Sequence, residues 1–331
     1  MPTHIRSATH GDLPAIAALL LQDAAERAAS DGDLWPVATG AAQRVAQAFS
    51  GELDEGPVRW LVAEAGGAVE GVARFGVIPC PPIYHLAGGL AFVLYDDTFV
   101  SRSAPADALA SLIAAAERAG DAMGAVISIA ACAPFQREKH RALESARYDV
   151  VTHYLVKHRL ANAAPPAHVR AATAADVPAI VAMGAASQEA LFQANAQMWT
   201  PHPQARARFG AWMHYALTLP DRRIFVFGEG EPTGFAIAQP TSPLHLPLTS
   251  QPDHVGLIDD FWAPEFAPAP GGPTGARDLL TAAELEFIAR RRASIMTICP
   301  AGWRSKQEAL RARGYRDGNA WMLKARTTHR S

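Results

Sequence analysis

Apolar and polar positions along the chain keep one rhythm and then repeat it. Residues 4–8 read as a short strand, and Thr9-x-x-Asp12 then reads as a helix start, a hydroxyl with an acidic residue three on. Leu13, Ile16 and Leu20 follow at helical spacing, and Pro14 is tolerated only near a helix start. A second helix is predicted over residues 38–49. Arg59–Ala65, Gly66-Gly67 and Val69–Val77 read as strand, tight turn, strand. A long strand over 88–100 comes next. Helix 105–120, strand 125–132, helix 137–146 and strand 148–158 complete the run.

The whole order then recurs. Residues 5–16, IRSATHGDLPAI, match residues 169–180, VRAATAADVPAI, with Arg6 on Arg170 at an offset of 164. Leu94-Tyr-Asp-Asp-Thr-Phe-Val matches Leu257-Ile-Asp-Asp-Phe-Trp-Ala at 163. Ala142-Leu143, Tyr148 and Lys157 match Ala309-Leu310, Tyr315 and Lys324 at 167, as Cys132 matches Cys299. Ordered matches with a slowly drifting offset imply duplication. The second copy is predicted as strand 168–172, helix 203–218, the hairpin Ile224–Phe227 and Thr233–Ala238, and strand 254–263. Helix 274–291, strand 293–299, helix 303–313 and strand 315–325 close it. Leu160-Ala-Asn-Ala-Ala-Pro-Pro-Ala excludes helix and holds the chain extended. The expected organisation is therefore 1–160, a linker at 161–167, and 168–331. The expected fold is α/β, each copy a mixed, mostly antiparallel sheet flanked by helices.

Composition narrows the function classes. Of 331 residues, 49% are hydrophobic and 19% charged, so both copies can bury a core. Net charge is −2, which supplies no field for nucleic acid or an anionic membrane. The three cysteines lie far apart, without metal-ligand spacing, which argues against a disulfide framework or a metal site. No apolar stretch approaches the roughly 20 residues of a membrane helix, and the N-terminus lacks an apolar signal core. The expectation is a soluble cytoplasmic protein, monomeric or a homodimer.

The order of elements, with four local motifs, resembles the GNAT superfamily (GCN5-related N-acetyltransferases), once per copy. The opening R-x-A-T-x-x-D-x-P-A-I resembles its first strand and helix. LIDDFWAP, residues 257–264, resembles its fourth strand, and GGPTGARDLL, residues 271–280, its pyrophosphate loop. KQEALRARGY, residues 306–315, resembles the helix before its last strands. The resemblance implies an acyl-CoA-dependent N-acyltransferase that moves an acetyl group from acetyl-CoA to the amine of a small molecule or peptide. A helix N-terminus with glycines before it suits a phosphate. Gly271, Gly272, Thr274, Gly275, Ala276 and Arg277 are thus the candidate cofactor contacts. The family loop is Q/R-x-x-G-x-G/A. Ala276 meets it, whereas Thr274 and Gly271 depart from it. The first copy has Ser101-Arg-Ser-Ala-Pro-Ala-Asp-Ala-Leu there, without glycine, so the second copy is the expected site and the first a degenerate one.

Acyl transfer to an amine needs a base and donors for the carbonyl oxygen. The resemblance puts those donors on the backbone of Phe261, Trp262 and Ala263. Asp259 and Asp260 are the candidate bases, with His254 upstream as a substitute. The alternative is that the aspartates are structural, since Asp96-Asp97 holds the same place in the poorer copy. The family's tyrosine acid falls at Leu310 and Leu143, and its asparagine at Trp303 and Gln136, so neither copy has the full polar set. Arg304, Lys306, Arg311, Arg313 and Arg316 are read as a solvated basic face or a 3′-phosphate contact. Ser187–Gln204, with Phe192, Asn195, Trp199 and His202, would form the acceptor pocket, and the loop 240–254 with His245 a lid. Two functions stay open: an enzyme working through the second copy, or a non-catalytic CoA-binding or regulatory module.

Overall fold

In the computed structural model, which describes residues 3–54, 56–86, 89–266 and 275–326, twelve strands form one continuous sheet. The first half runs β1 (His4–Ser7), α1 (Leu13–Asp31), α2 (Ala41–Asp54), β2 (Val58–Ala65), β3 (Ala68–Ile78) and β4 (Leu90–Val100). It continues through α3 (Ala108–Ala122), β5 (Ala125–Cys132), α4 (Arg137–Ser145) and β6 (Asp149–His158). The second half repeats it as β7 (Val169–Ala171), α5 (Val177–Ala194), α6 (Ala196–Trp199), α7 (Ala205–Ala216), β8 (Arg223–Phe227) and β9 (Gly234–Pro240). Then come β10 (Val255–Trp262), α8 (Ala276–Ala289), β11 (Ser294–Pro300), α9 (Arg304–Ala312) and β12 (Arg316–Ala325).

The duplicated opening has a physical basis. The Asp12 carboxylate accepts from the Thr9 amide at 2.8 Å and from both Arg6 terminal nitrogens at 2.7 and 2.8 Å. Asp176 does the same with Thr173 and Arg170, at 2.8, 2.7 and 2.7 Å. Each acid thereby pins the strand to the start of its helix, and the arginine holds both carboxyls well below the ordinary carboxylate range. Pro14 and Pro178 each sit in the first turn, where no amide partner is lost. Alternation along β2 sends Trp60 and Val62 to a core under α1 and α2, and Ala63 to one under α3.

The sheet order is β1-β2-β3-β4-β5-β12-β6-β11-β10-β9-β8-β7. Only β4 with β5 and β10 with β11 pair in parallel; every other neighbour pair is antiparallel. The closing strands are exchanged. β12 of the second half lies between β5 and β6, with Ala320 opposite Cys132. β6 of the first half pairs with β11, with Ser294 opposite His158.

The loops between the third and fourth strands are exchanged as well. Residues 79–86 leave the first half and meet the second, where Tyr84 bridges Pro201 and the His202 amide donates to the Ile83 carbonyl at 2.9 Å. Residues 241–254 return the exchange: Val37 bridges Ser250, and the Ala38 amide donates to the Thr249 carbonyl at 2.8 Å. The segment expected as a lid on its own half is therefore committed to the other half.

Candidate active site

In each half the two parallel strands part at the same place. β10 pairs with β11 only from Val255 to Ile258, and β4 with β5 only from Leu90 to Leu94. At that point the antiparallel partner slips register, between Ile258 and Phe261 in β10 and between Leu94 and Thr98 in β4. A bulge re-aims side chains. The bulged residues are Asp259-Asp260 in one half and Asp96-Asp97 in the other.

The two aspartate pairs differ in the charges that surround them. In the first half Arg27, fully buried, donates to Asp23 at 2.7 Å and to Asp96 at 3.1 Å. Arg74 donates to Asp97 at 3.1 Å and to Glu52 at 2.9 Å, while Asn319 of β12 donates to Asp96 at 2.8 Å. Burial opposes ionisation of Asp96, but Arg27 and Lys139 outweigh it, and its carboxyl titrates below the ordinary value. Burial raises the Asp97 carboxyl against the charge of Arg74, so Asp96 alone of this pair is lowered, and both are bound into an ionic network.

In the second half the neutralising arginines are gone. Leu191 stands 164 positions after Arg27, and Ile237 stands 163 after Arg74; both are buried and apolar. Asp259 and Asp260 are half-buried and keep some accessible surface. Gln239 donates to Asp259 at 2.8 Å and accepts from Arg222 at 3.0 Å. Burial first, and the charge of Asp260 second, push the Asp259 carboxyl up to about 7. Burial raises Asp260 too, against the charge of Lys306. A carboxyl poised near neutrality is suited to accept a proton.

Lys306 corrects the picture of a solvated basic helix. It is buried, 4% exposed, and its Nζ donates to the Phe261 carbonyl at 2.9 Å among the rings of Phe261, Phe266 and Trp303. Burial lowers its pKa. Its counterpart Lys139, 167 positions earlier, is equally buried and sits 3.7 Å from Asp96. The other basic residues of that run are mostly paired: Arg311 with Asp317 at 3.0 Å, Arg313 with Glu284 at 3.2 Å, Arg316 with Asp31 at 2.9 Å.

The remaining candidates separate. His254 precedes β10, roughly 17 Å from Asp259 along an extended chain, and its Nε2 meets the Asp33 carbonyl at 2.9 Å. The structure does not bring it to the pair. Phe261, Trp262 and Ala263 end β10 with buried side chains. Cys299 is buried and its thiol is pushed up to about 11 by burial, so it is a wall and not a nucleophile. Asn195 caps α6 through the Met198 amide at 3.0 Å.

Gly271, Gly272 and Thr274 lie outside the described residues. Gly275 caps α8, and Ala276 and Arg277 open it. Ala276 and Arg277 border a groove of about 590 Å³ whose lining also includes Lys157, Glu265 and Arg313. The start of a fourteen-residue helix fits an anion, and the three cations of the groove are each paired with a carboxylate, Lys157 and Arg313 with Glu284 and Arg277 with Asp278. The Ala276 amide already donates to the Glu265 carboxylate at 2.9 Å, so an anion is held there by the chain itself. The first half keeps a groove too, about 480 Å³ between the end of β4 and α4, lined by Asp23, Thr98, Gln136 and Lys139 among others. Among the described residues no cluster of His, Cys, Asp or Glu could hold a metal ion, and no helix is long and apolar enough to cross a membrane.

This fold, with its parted parallel strands twice in one chain, is shared by solved GNAT structures. The chain superposes on a GCN5-related N-acetyltransferase from Sphaerobacter thermophilus with a TM-score of 0.58 and 18% identity, covering 98% of this chain and 95% of that one. It superposes on a tandem GNAT protein from the clavulanic acid biosynthesis pathway with a TM-score of 0.52 and 12% identity, covering 98% of each. At such identities the likeness is one of fold. No protein-family model matches the chain. No curated protein matches it in sequence either.

Sequence reading missed Lys306, because a lysine on a charged amphipathic helix ordinarily faces water. It also missed the contrast of Arg27 with Leu191 and Arg74 with Ile237, although the repeat offset exposes it once the copies are aligned.

Proposed function

We propose that the chain is an acyl-CoA-dependent N-acyltransferase with its working site in the second half. The observation that carries this is the Asp259 carboxyl, held up to about 7 beside Asp260 where β10 and β11 part, without the Arg27 that keeps its first-half counterpart Asp96 ionised. Acetyl-CoA, when bound, supplies an activated acetyl thioester. Ala276, Arg277 and Arg313 are the residues of this chain suited to its phosphates. Asp259 takes a proton from the acceptor ammonium on its free carboxylate oxygen, while Gln239 holds the other oxygen. Backbone amides at the end of β10 would be the donors for the carbonyl oxygen as charge develops on it. Lys306 fixes the Phe261 carbonyl and so the shape of the bulge.

A second reading, a binding module without turnover, is favoured by the way Lys306 and Glu265 already occupy the Phe261 carbonyl and the Ala276 amide. Titration calorimetry with acetyl-CoA, beside thiol release with a panel of amines, separates the two. Binding with amine-dependent thiol release that Asp259→Asn abolishes at pH 7 supports the transferase. Binding without release supports the module. No heat and no thermal shift with acetyl-CoA sinks both.

A further inference from the structure

We propose that the groove of the first half, beside the point where β4 and β5 part, is a binding site for a small carboxylate that carries an amide, such as an N-acyl amino acid. The amide carbonyl meets Lys139 and Thr98 on the floor, and the carboxylate meets Arg137 and Arg141 on the rim. The proposal stands whether or not the second half is the transferase.

The same position is closed in one half and open in the other. Thr98 and Phe261 each follow the bulge, opposite Ala73 and Ala236. Gln136 and Trp303 each cap the next helix, and Lys139 and Lys306 each stand third in it. In the second half rings fill the space. Phe261 and Trp303 are buried, Phe266 meets them at 5.0 and 6.2 Å between centroids, and the Phe261 carbonyl satisfies Lys306. In the first half a threonine and a glutamine replace two of those rings, and both line a cavity of about 480 Å³.

The floor of that cavity carries two polar groups that the protein leaves unmet. Lys139 is 4% exposed and Thr98 1%, and both belong to the lining. Neither Lys139 Nζ nor Thr98 Oγ1 has a hydrogen-bond partner among the described residues, and the Asp96 carboxylate is 3.7 Å from Nζ. A buried donor without a partner costs stability, which an acceptor on a ligand restores. Asp96 at that distance, and Asp23 in the lining, repel a further carboxylate there, so a neutral carbonyl oxygen suits the floor. The rim prefers the charge. Arg102, Arg137 and Arg141 stand against Glu26 and Glu138. Glu26 pairs with Arg102 at 3.2 Å, whereas Arg137 and Arg141, one turn apart on α4, have no ion pair among the described residues. Phe99, Val100 and Phe135 add apolar wall. A diphosphate is disfavoured. The segment before α3 has no glycine, Ser103 donates to the Glu70 carboxylate at 2.8 Å, and Asp107 caps the helix. The aspartates beside the groove are engaged, Asp23 and Asp96 by Arg27 and Asp97 by Arg74. The site therefore holds its ligand and has no free base with which to transform it.

Three probes are titrated calorimetrically into the full chain. Hippurate has an amide and a carboxylate, hippuramide lacks the charge, and 4-phenylbutyrate lacks the amide. Hippurate is expected to bind at least about tenfold tighter than either analogue. Thr98→Val keeps the shape and removes the hydroxyl. It should weaken hippurate about two- to tenfold without lowering the denaturation midpoint. Lys139→Met should weaken hippurate at least about tenfold and 4-phenylbutyrate little, and joint Arg137→Gln and Arg141→Gln should erase the preference for hippurate over hippuramide. Equal binding of the three probes, or of none, overturns the site. So does a lowered midpoint in Thr98→Val with hippurate affinity unchanged, which would mark the hydroxyl as structural. If Lys139→Met does not fold, the wild-type ratios and Thr98→Val decide. Competition between hippurate and acetyl-CoA that Lys139→Met removes would make the groove a second cofactor cleft and overturn the proposal. A wild type that binds hippurate and no acetyl-CoA removes the transferase and leaves this site standing.

Discussion

The Glu265 carboxylate accepts from the Ala276 amide at 2.9 Å, so the first free amide of α8 already has an anion on it. A helix N-terminus stabilises a carboxylate by about 0.3–1 kcal/mol. Any phosphate that uses the amide must displace the glutamate and tolerate its charge. Glu265→Ala is expected to lower the stability of the free protein by about that amount and to tighten acetyl-CoA binding by about two- to fivefold. Calorimetry and thermal melts check the two arms. Weaker binding in the variant would show that Glu265 helps the cofactor and does not compete with it.

Asp259 sets the pH dependence of turnover. Its carboxyl is up at about 7, so the base form gains over the acid form as pH rises through neutrality. Thiol release should climb between about pH 6 and 8 and level off above. Asp259→Asn should remove at least about a hundredfold of the rate. The same shift bears on folding, with a fixed sign. A carboxyl raised above its unfolded value binds more protons folded than unfolded, so its contribution falls as pH rises from about 4 to about 7. Asp259→Asn should flatten that slope in denaturant titrations.

His245 contributes the opposite slope. It is half-buried, accepts from the Ser242 amide at 3.1 Å, and stacks on Trp321 at 6.3 Å. Burial pushes its pKa down to about 4. The unfolded chain then binds the proton that the folded one refuses, so stability is lost as pH falls from about 6.5 to about 4. His245→Asn keeps a polar group beside Ser242 without titrating. It should remove this acid sensitivity even if it lowers stability at every pH.

The ionic network of the first half is a stability element. Asp96→Ala leaves Arg27 with Asp23 as its bonded carboxylate, beside the main-chain carbonyl of residue 96, and Lys139 with no carboxylate at 3.7 Å. Stranding buried charge costs about 3–5 kcal/mol. The expected outcome is a large fall in the denaturation midpoint. A change within about 1 kcal/mol, the scale of an exposed pair, would show that water reaches the network.

Two arginines hold left-handed backbone where the other half has glycine. Arg147 has φ 68° and Gly314, 167 positions later, φ 83°; Gly124 has φ 83° and Arg291 φ 57°. A side chain there costs about 1 kcal/mol or more. Arg147→Gly and Arg291→Gly should each stabilise the protein by up to about 1 kcal/mol, read as a higher denaturation midpoint.

Much of this architecture was legible in the residues. Strands and helices fall close to where alternation and capping placed them, because both are local. The Thr9–Asp12 and Thr173–Asp176 pairs announced two helix starts by chemistry alone. Neighbour choice was not legible: Val151, Leu155 and Val156 say that β6 is buried, but not that its partners are β11 and β12. The aspartate pair was found, yet its two environments depend on residues far away in the chain, Arg27 and Arg74. Tyr84 gave no signal, since a tyrosine in a Pro-rich loop carries no periodicity, and its neighbours come from the other half.

The exchange of closing strands bears on synthesis. β5 ends at Cys132, but β12, which covers one of its edges, begins 184 residues later, at Arg316. At about 5–20 residues per second, that edge waits roughly 10–40 s on the ribosome for its neighbour. A bare edge is a template for the wrong strand, so the nascent first half is exposed until nearly the whole chain has emerged. A stall or truncation before residue 316 would leave both halves unfinished at once, and not one half complete and the other missing.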